Sequence, residues 1–322
     1  MDIDVASRCT VCRCYVDHED LFCANCGAEH ETTAPPPPSQ MVVSFTCQSC
    51  GASMRYDAAA RALRCPFCGS TRVQEQPPHR EVVAERMVAP RIGRAKAEQI
   101  LRAWLRKGFW RPSDAEAASR IAEMTGVFVP FWVFSVETST RWTADVSPPP
   151  PGRHGTWRPV YGKFASRYEQ VLVPASSVLT VAETEAIAPF ELDESPVEPE
   201  PVPRGWVVES FKLSRKAVRP VARGVIEQLE LAQAVAQCGG RRHRHVHVNV
   251  QLEGLVGRPA LIPIWILVYH YRKRPHRVLI NGQTGKIHGQ APFAVVKLAV
   301  LILVAVIVLV VLLAVGVLVS SR

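Results

Sequence analysis

Nine of the ten cysteines in this 322-residue chain lie before residue 69. Eight of these fall into four short-spaced pairs, and that spacing restricts the first quarter of the chain to small folds held by metal. Fourteen residues separate Cys47-x2-Cys50 from Cys65-x2-Cys68, and Gly51 or Gly69 follows each pair. Two such knuckles bring four thiolates to the corners of a tetrahedron, and the glycines permit tight turns that aim amide groups at sulfur. Between the knuckles, ASMRYDAAARALR offers few large apolar side chains. Metal therefore supplies most of the folding energy, ~10–16 kcal/mol in comparable zinc peptides.

Cys9-x2-Cys12 and Cys23-x2-Cys26-Gly27 repeat the pattern across ten residues, with Arg13 where a knuckle glycine is common and Cys14 as a fifth thiol. The expectation is two zinc ribbons and two Zn2+ per chain. The first ribbon uses Cys9, Cys12, Cys23 and Cys26, with Cys14 either spare or exchanging into the ligand set. The second uses Cys47, Cys50, Cys65 and Cys68. Four thiolates close the coordination sphere and leave no position for a reactive water. CPFCG also occurs in rubredoxin-like iron sites, but the loop between the knuckles is too short for that fold. Cys238 stands alone in a helical stretch and reads as a buried or idle thiol.

Proline-rich runs divide the rest. APPPPS at 34 to 39 and QPPH at 76 to 79 mark spacers, PPPPG at 148 to 152 reads as a hairpin tip, and PVEPEPVP at 196 to 203 as an acidic extended crossing. The expected organisation is ribbon 1 over 1–33, a spacer over 34–44, ribbon 2 over 45–74, a linker over 75–93, an α+β body over 94–292 and a membrane anchor over 293–322. In the body, residues 94 to 107 place Ile100, Leu101, Trp104 and Leu105 on one helical face. Ser113 and Glu116 form a capping box that opens a second helix, ending near Gly126. GVFVPFWVFSVETSTRW then reads as a buried strand. A long helix from Ser214 to Gln237 and the run PALIPIWILVYHY repeat that order, and VPFWVF and IPIWIL, centred on Trp132 and Trp265, suggest an internal duplication.

From Leu298 to Val319 the chain carries no charged side chain, and as a helix that run would span roughly 33 Å, the thickness of a bilayer core. The first residues have neither a basic nor an apolar leader segment, and residues 201 to 297 hold 16 Lys+Arg against 4 Asp+Glu. By the positive-inside rule the expectation is a single-pass, tail-anchored protein of the cell membrane with its N-terminal body in the cytoplasm. The net charge of +9 is unevenly spread: residues 1 to 33 hold 2 Lys+Arg and 7 Asp+Glu. The basic excess therefore lies in the body, where it would face anionic lipid headgroups or solvent.

No nucleophile, base and orienting group stand together. Ser176, Ser177, His154 and Asp145 are isolated in sequence. His243, His245 and His247 share one strand face, either as a metal site or as the wet side of a half-buried strand. Gly282-x2-Gly285-Lys286 imitates a phosphate loop but lacks its spacing and its helix; Asn281-Gly282 is instead a hairpin signal.

The segments CQSCGASMRYDAAARALRCPFCGS, VFVPFWVFSVE, VLVPASSVL, RGWVVESFKL, LIPIWILVYHY and INGQTGKIHGQAPFAVVK, followed by a terminal apolar run, resemble bacterial membrane-anchored zinc-ribbon proteins. That group is described as transcription-factor-IIB-type zinc-ribbon proteins and often labelled primosomal helicase-like, although no Walker motif or helicase core is present here. The resemblance covers about residues 45 to 320. It implies a membrane-bound partner role beside stomatin-like or stress-response membrane proteins, with Cys47, Cys50, Cys65 and Cys68 as ligands. The leading functional expectation is a membrane-anchored adaptor or scaffold, not an enzyme, whose ribbons dock protein. The alternatives are a tethered nucleic-acid binder, favoured by Arg55, Arg61, Arg64 and Arg72 but opposed by the acidic first ribbon, and an enzyme with an unrecognised site in the body.

Overall fold

The computed structural model describes residues 7–13, 15–16, 22–23, 25–29, 39–56, 64–106, 124–147, 157–192, 202–239, 242–271 and 274–289. The first ribbon contributes β1 (Ser7–Arg8) and β2 (Tyr15–Val16), paired with each other. Next come β3 (Ser39–Val42), β4 (Phe45–Cys47), β5 (Ser53–Arg55), β6 (Val73–Glu75), β7 (His79–Val82) and β8 (Arg86–Met87). The body follows with α1 (Arg94–Arg106), β9 (Thr125–Ser147), β10 (Arg158–Pro174), α2 (Val181–Ile187), β11 (Val207–Glu209), α3 (Arg215–Gln237), β12 (Arg242–Tyr271), β13 (Arg274–Asn281) and β14 (Ile287–Gly289).

One ten-stranded sheet dominates. Its path runs β14-β13-β12-β9-β11-β5-β4-β6, with β10 beside β9 and β8 beside β12. Among the described residues 48% are strand and 19% helix, so the expected mixed α+β body with a C-terminal transmembrane helix is corrected to a sheet-rich fold with three helices among those residues. The reason lies in β9 and β12. β9 begins as a continuous apolar run and then alternates, and its antiparallel partner β12 alternates first and reaches its apolar run later; in β9, Val136, Thr138, Thr140 and Trp142 point inward while Glu137, Ser139, Arg141 and Thr143 point out. The alternating halves are too polar to announce themselves as core, yet they double the length of each strand. Gly126, expected to end a helix, lies inside β9. A Cβ there would come within 2.4 Å of the Trp206 ring. The helix expected from Ser113 lies outside the described residues up to residue 123.

The body is built as two similar halves. β11 runs parallel to β9 at Val127 and Phe128, and β8 runs parallel to β12 at Ala260 and Leu261. Beyond those points β10 and β13 take over the same edges as antiparallel hairpin partners. The two tryptophans occupy matching places: Trp132 Nε1 donates to Leu213 O at 2.9 Å and Trp265 Nε1 to Ile92 O at 2.7 Å, each just ahead of a helix. Those helices, α3 and α1, cover successive stretches of one sheet face. Ala97 and Leu101 of α1 pack beside Phe128, Trp206 and Trp265, and Val218, Ala222 and Ile226 of α3 pack beside Trp132, Phe134 and Val136. Ser214 caps α3, accepting from Ala217 N at 3.2 Å.

No helix among the described residues is long and apolar enough to cross a membrane, which overturns the expected single-pass localisation. α3 is 23 residues long, but Arg215, Lys216, Arg219, Arg223 and Glu227 give it a charged side, so its length serves amphipathic packing on the sheet. The run 298–319 lies outside the described residues.

Candidate metal centres

Each ribbon is a pair of knuckles, and each knuckle needs one residue in the left-handed region to return the chain. Gly27, Gly51 and Gly69 supply it at φ of 75°, 77° and 74°. Their amides donate to the carbonyls of Cys23, Cys47 and Cys65 at 2.8, 2.9 and 2.8 Å. Arg13 does the same for Cys9 at 2.9 Å with φ of 57°, a conformation that crowds its Cβ. A second hydrogen bond closes three of the turns, from Cys23 N to Ala28 O, Cys47 N to Ala52 O and Cys65 N to Ser70 O, at 2.7 to 2.9 Å.

These turns gather Cys9, Cys12, Cys23 and Cys26 into one group and Cys47, Cys50, Cys65 and Cys68 into another, with the sulfurs of each within 4.8 Å of one another. Sγ atoms are 3.6 Å apart for Cys47 and Cys68, 3.5 Å for Cys50 and Cys65, 3.5 Å for Cys9 and Cys26 and 3.4 Å for Cys12 and Cys23. A disulfide would need about 2.05 Å; a tetrahedron with 2.3 Å metal–sulfur bonds has edges of roughly 3.8 Å. The thiols are free, and either group could hold a metal ion. Cys14 lies outside the described residues.

The protonation of the second group is already polarised. The hydrogen bond from Cys65 pulls the Cys50 thiol down to about 5, and the same bond, followed by burial, pushes Cys65 up. Burial raises Cys68 to about 11 and, in the first ribbon, Cys23 to about 12. One sulfur of the second group is thus a ready thiolate, and a metal must displace protons from Cys65 and Cys68.

The second ribbon is sewn into the body. β5 pairs with β4 on one side and with β11 on the other, Val208 facing Arg55 and Glu209 facing Met54. Ser210 N donates to Ser53 O at 2.9 Å. Cys47, Ala52, Met54, Cys65 and Phe67 share a core with Val127, Val129, Phe131 and Ile262. Residues 79–87, expected as linker, form β7 and β8. Glu81 on β7 accepts from Phe211 N at 3.0 Å and Ser210 Oγ at 3.3 Å, and lies 3.7 Å from Arg55 Nε. Sequence reasoning missed Glu81 and Glu209; the signal for the second was a lone acid within the apolar run WVVES.

Other sequence candidates do not assemble. Ser176 is buried and fully engaged, donating to Glu209 Oε1 at 2.6 Å and accepting from Val178 N and Leu179 N at 3.0 Å. His245 turns out at φ of 50° beside a bulge to meet Asp145 at 3.1 Å. That hydrogen bond, with Arg244, holds the Asp145 carboxyl below its usual range. The three histidines form no metal group among the described residues. Lys286 donates to Ala188 O at 2.7 Å within a strand-to-strand turn, and Cys238 is buried against Ala234 O.

No family model matches the chain, and no solved structure matches it. The chain is similar to a protein of Bacillus subtilis (strain 168) named uncharacterized protein YdjG, 22% identical, with 80% of this chain and 93% of that one covered.

Proposed function

We propose that the protein is a zinc-braced adaptor: two structural Zn2+ ions, one in each four-cysteine group, stiffen ribbons that dock a protein partner, and neither ion performs catalysis. The observation that carries this reading is the continuity of β4 and β5 with β11 and β9. It makes the second ribbon a fixed edge of a rigid sheet. A closed four-thiolate site offers stability but no open coordination position.

Two of the four ribbon arginines support protein docking over nucleic acid, because they are engaged internally: Arg55 beside Glu81 at 3.7 Å and Arg72 on Ser49 Oγ at 3.1 Å. Phosphate neutralisation needs cations free to leave such partners. The test is crosslinking of the full chain in cells, with the Cys47→Ser and Cys238→Ser variants in parallel. A defined protein lost with Cys47→Ser and kept with Cys238→Ser supports the adaptor. Sub-micromolar DNA or RNA binding at physiological salt, abolished by Arg64→Glu and Arg72→Glu, would replace it with the nucleic-acid reading.

A further inference from the structure

We propose that the protein binds a small organic ligand bearing a phosphoryl group in the cavity where β8 and β10 flank the β9–β12 pair. The cavity measures about 330 Å³, and Arg86, Arg167 and Arg258 line it together with Ser135, Gln170 and Glu169. Its size is at the small end of ligand sites, about 300–1,000 Å³.

The strand registers bring the cations together. Arg258 on β12 stands opposite Val133 of β9, and Arg86 on β8 stands opposite Ala260, two residues beyond Arg258. Residues directly opposite, and residues two apart, share a face of a sheet. Arg258 and Arg86 therefore rise from the same side. Arg167 enters from β10 just before the bulge between Tyr168 and Val171, and is steadied by Glu169 at 3.1 Å and Glu137 at 3.8 Å. Gln170 is fixed by its bond to Leu192 O at 3.1 Å.

Charge decides the ligand class. Three guanidinium groups line the cavity; Glu169 and Glu137 flank Arg167, and Arg258 pairs with no carboxylate among the described residues. An anion offsets the charge that Arg258 brings to the cavity. The planar guanidinium fork matches phosphate oxygens two at a time. Val133, Pro259 and Ala260 supply an apolar wall for the organic remainder. The adaptor reading does not need these charges, and the inference stands apart from it.

The experiment is calorimetric titration of the full chain with phenyl phosphate and with inorganic phosphate, using acetate as control. The expected result is one saturable site, tighter for phenyl phosphate, that acetate does not fill. Arg258→Ala should weaken it at least about tenfold, the loss of a charge-assisted contact. Arg258→Lys should recover only part, because lysine lacks the fork, and Lys163→Ala, farther along β10, should leave it unchanged. Melting temperature and zinc content identify a variant that has lost its fold; Ser135→Ala then serves as the second probe and should also weaken binding. Equal binding by the wild type and Arg258→Ala, or no binding of either phosphate at millimolar concentration, overturns the assignment. So does oligonucleotide binding weakened as much by Lys163→Ala as by Arg258→Ala, which would give the face to a polyanion.

Discussion

Two single residues carry costs that substitutions should expose. Arg13 occupies a knuckle position that three glycines fill elsewhere, at φ of 57°. Arg13→Gly should stabilise the first ribbon by about 1 kcal/mol, seen as slower zinc loss to a chelator, with the second ribbon unaffected. Glu209 is fully buried, and burial raises its carboxyl to about 8, partly offset by the Ser176 bond and by Arg277. The folded state therefore keeps a proton that the unfolded chain loses near pH 4.5. That contribution is complete below the unfolded value and is lost as pH rises to about 8. Between pH 6.5 and 8.5, where zinc remains bound, Glu209→Gln should flatten the fall in stability that the wild type shows in denaturant titrations. An unchanged pH slope would remove the buried acid from the account. The site cysteines were legible because metal chemistry fixes their spacing; Glu209 was not, because its role depends on strands more than 150 residues apart.

Among the elements, β11 is three residues long and joins the ribbon sheet to the body. Cys50→Ser should speed amide exchange at Val207, Val208 and Glu209 while leaving β12 and β13 protected. Confinement of the faster exchange to residues 45–75 would mean that the ribbon is energetically separate, as its proline spacers suggest from sequence. α3 is the other main contact, and Ile226→Ala, at a fully buried position against the Trp132 cluster, should cost about 2–5 kcal/mol. α1 and α3 were legible as helices, with bounds within a residue of those found, but the cap at Ser214 was not read. β7 and β8 were not: HREV and RM carry too few apolar residues to signal strands, and they become strands because β3 and β12 offer them an edge.

For the whole molecule, elemental analysis of the full chain should find two zinc ions. Chelation should lower the melting temperature of the entire chain, since the second metal group shares a core with Phe131 and Ile262. A body that melts at the same temperature with and without metal would contradict that coupling. The β5–β11 pairing also has a consequence in time. Arg55 and Val208 are partners 153 positions apart, so on a ribosome moving at about 5–20 residues per second the ribbon waits roughly 8–30 s for its neighbouring strand to be made. During that interval nothing from β11 can shelter it. The nascent ribbon must capture its ion alone, and zinc supply during translation, ahead of any later assembly, then sets how much of this protein reaches its final form.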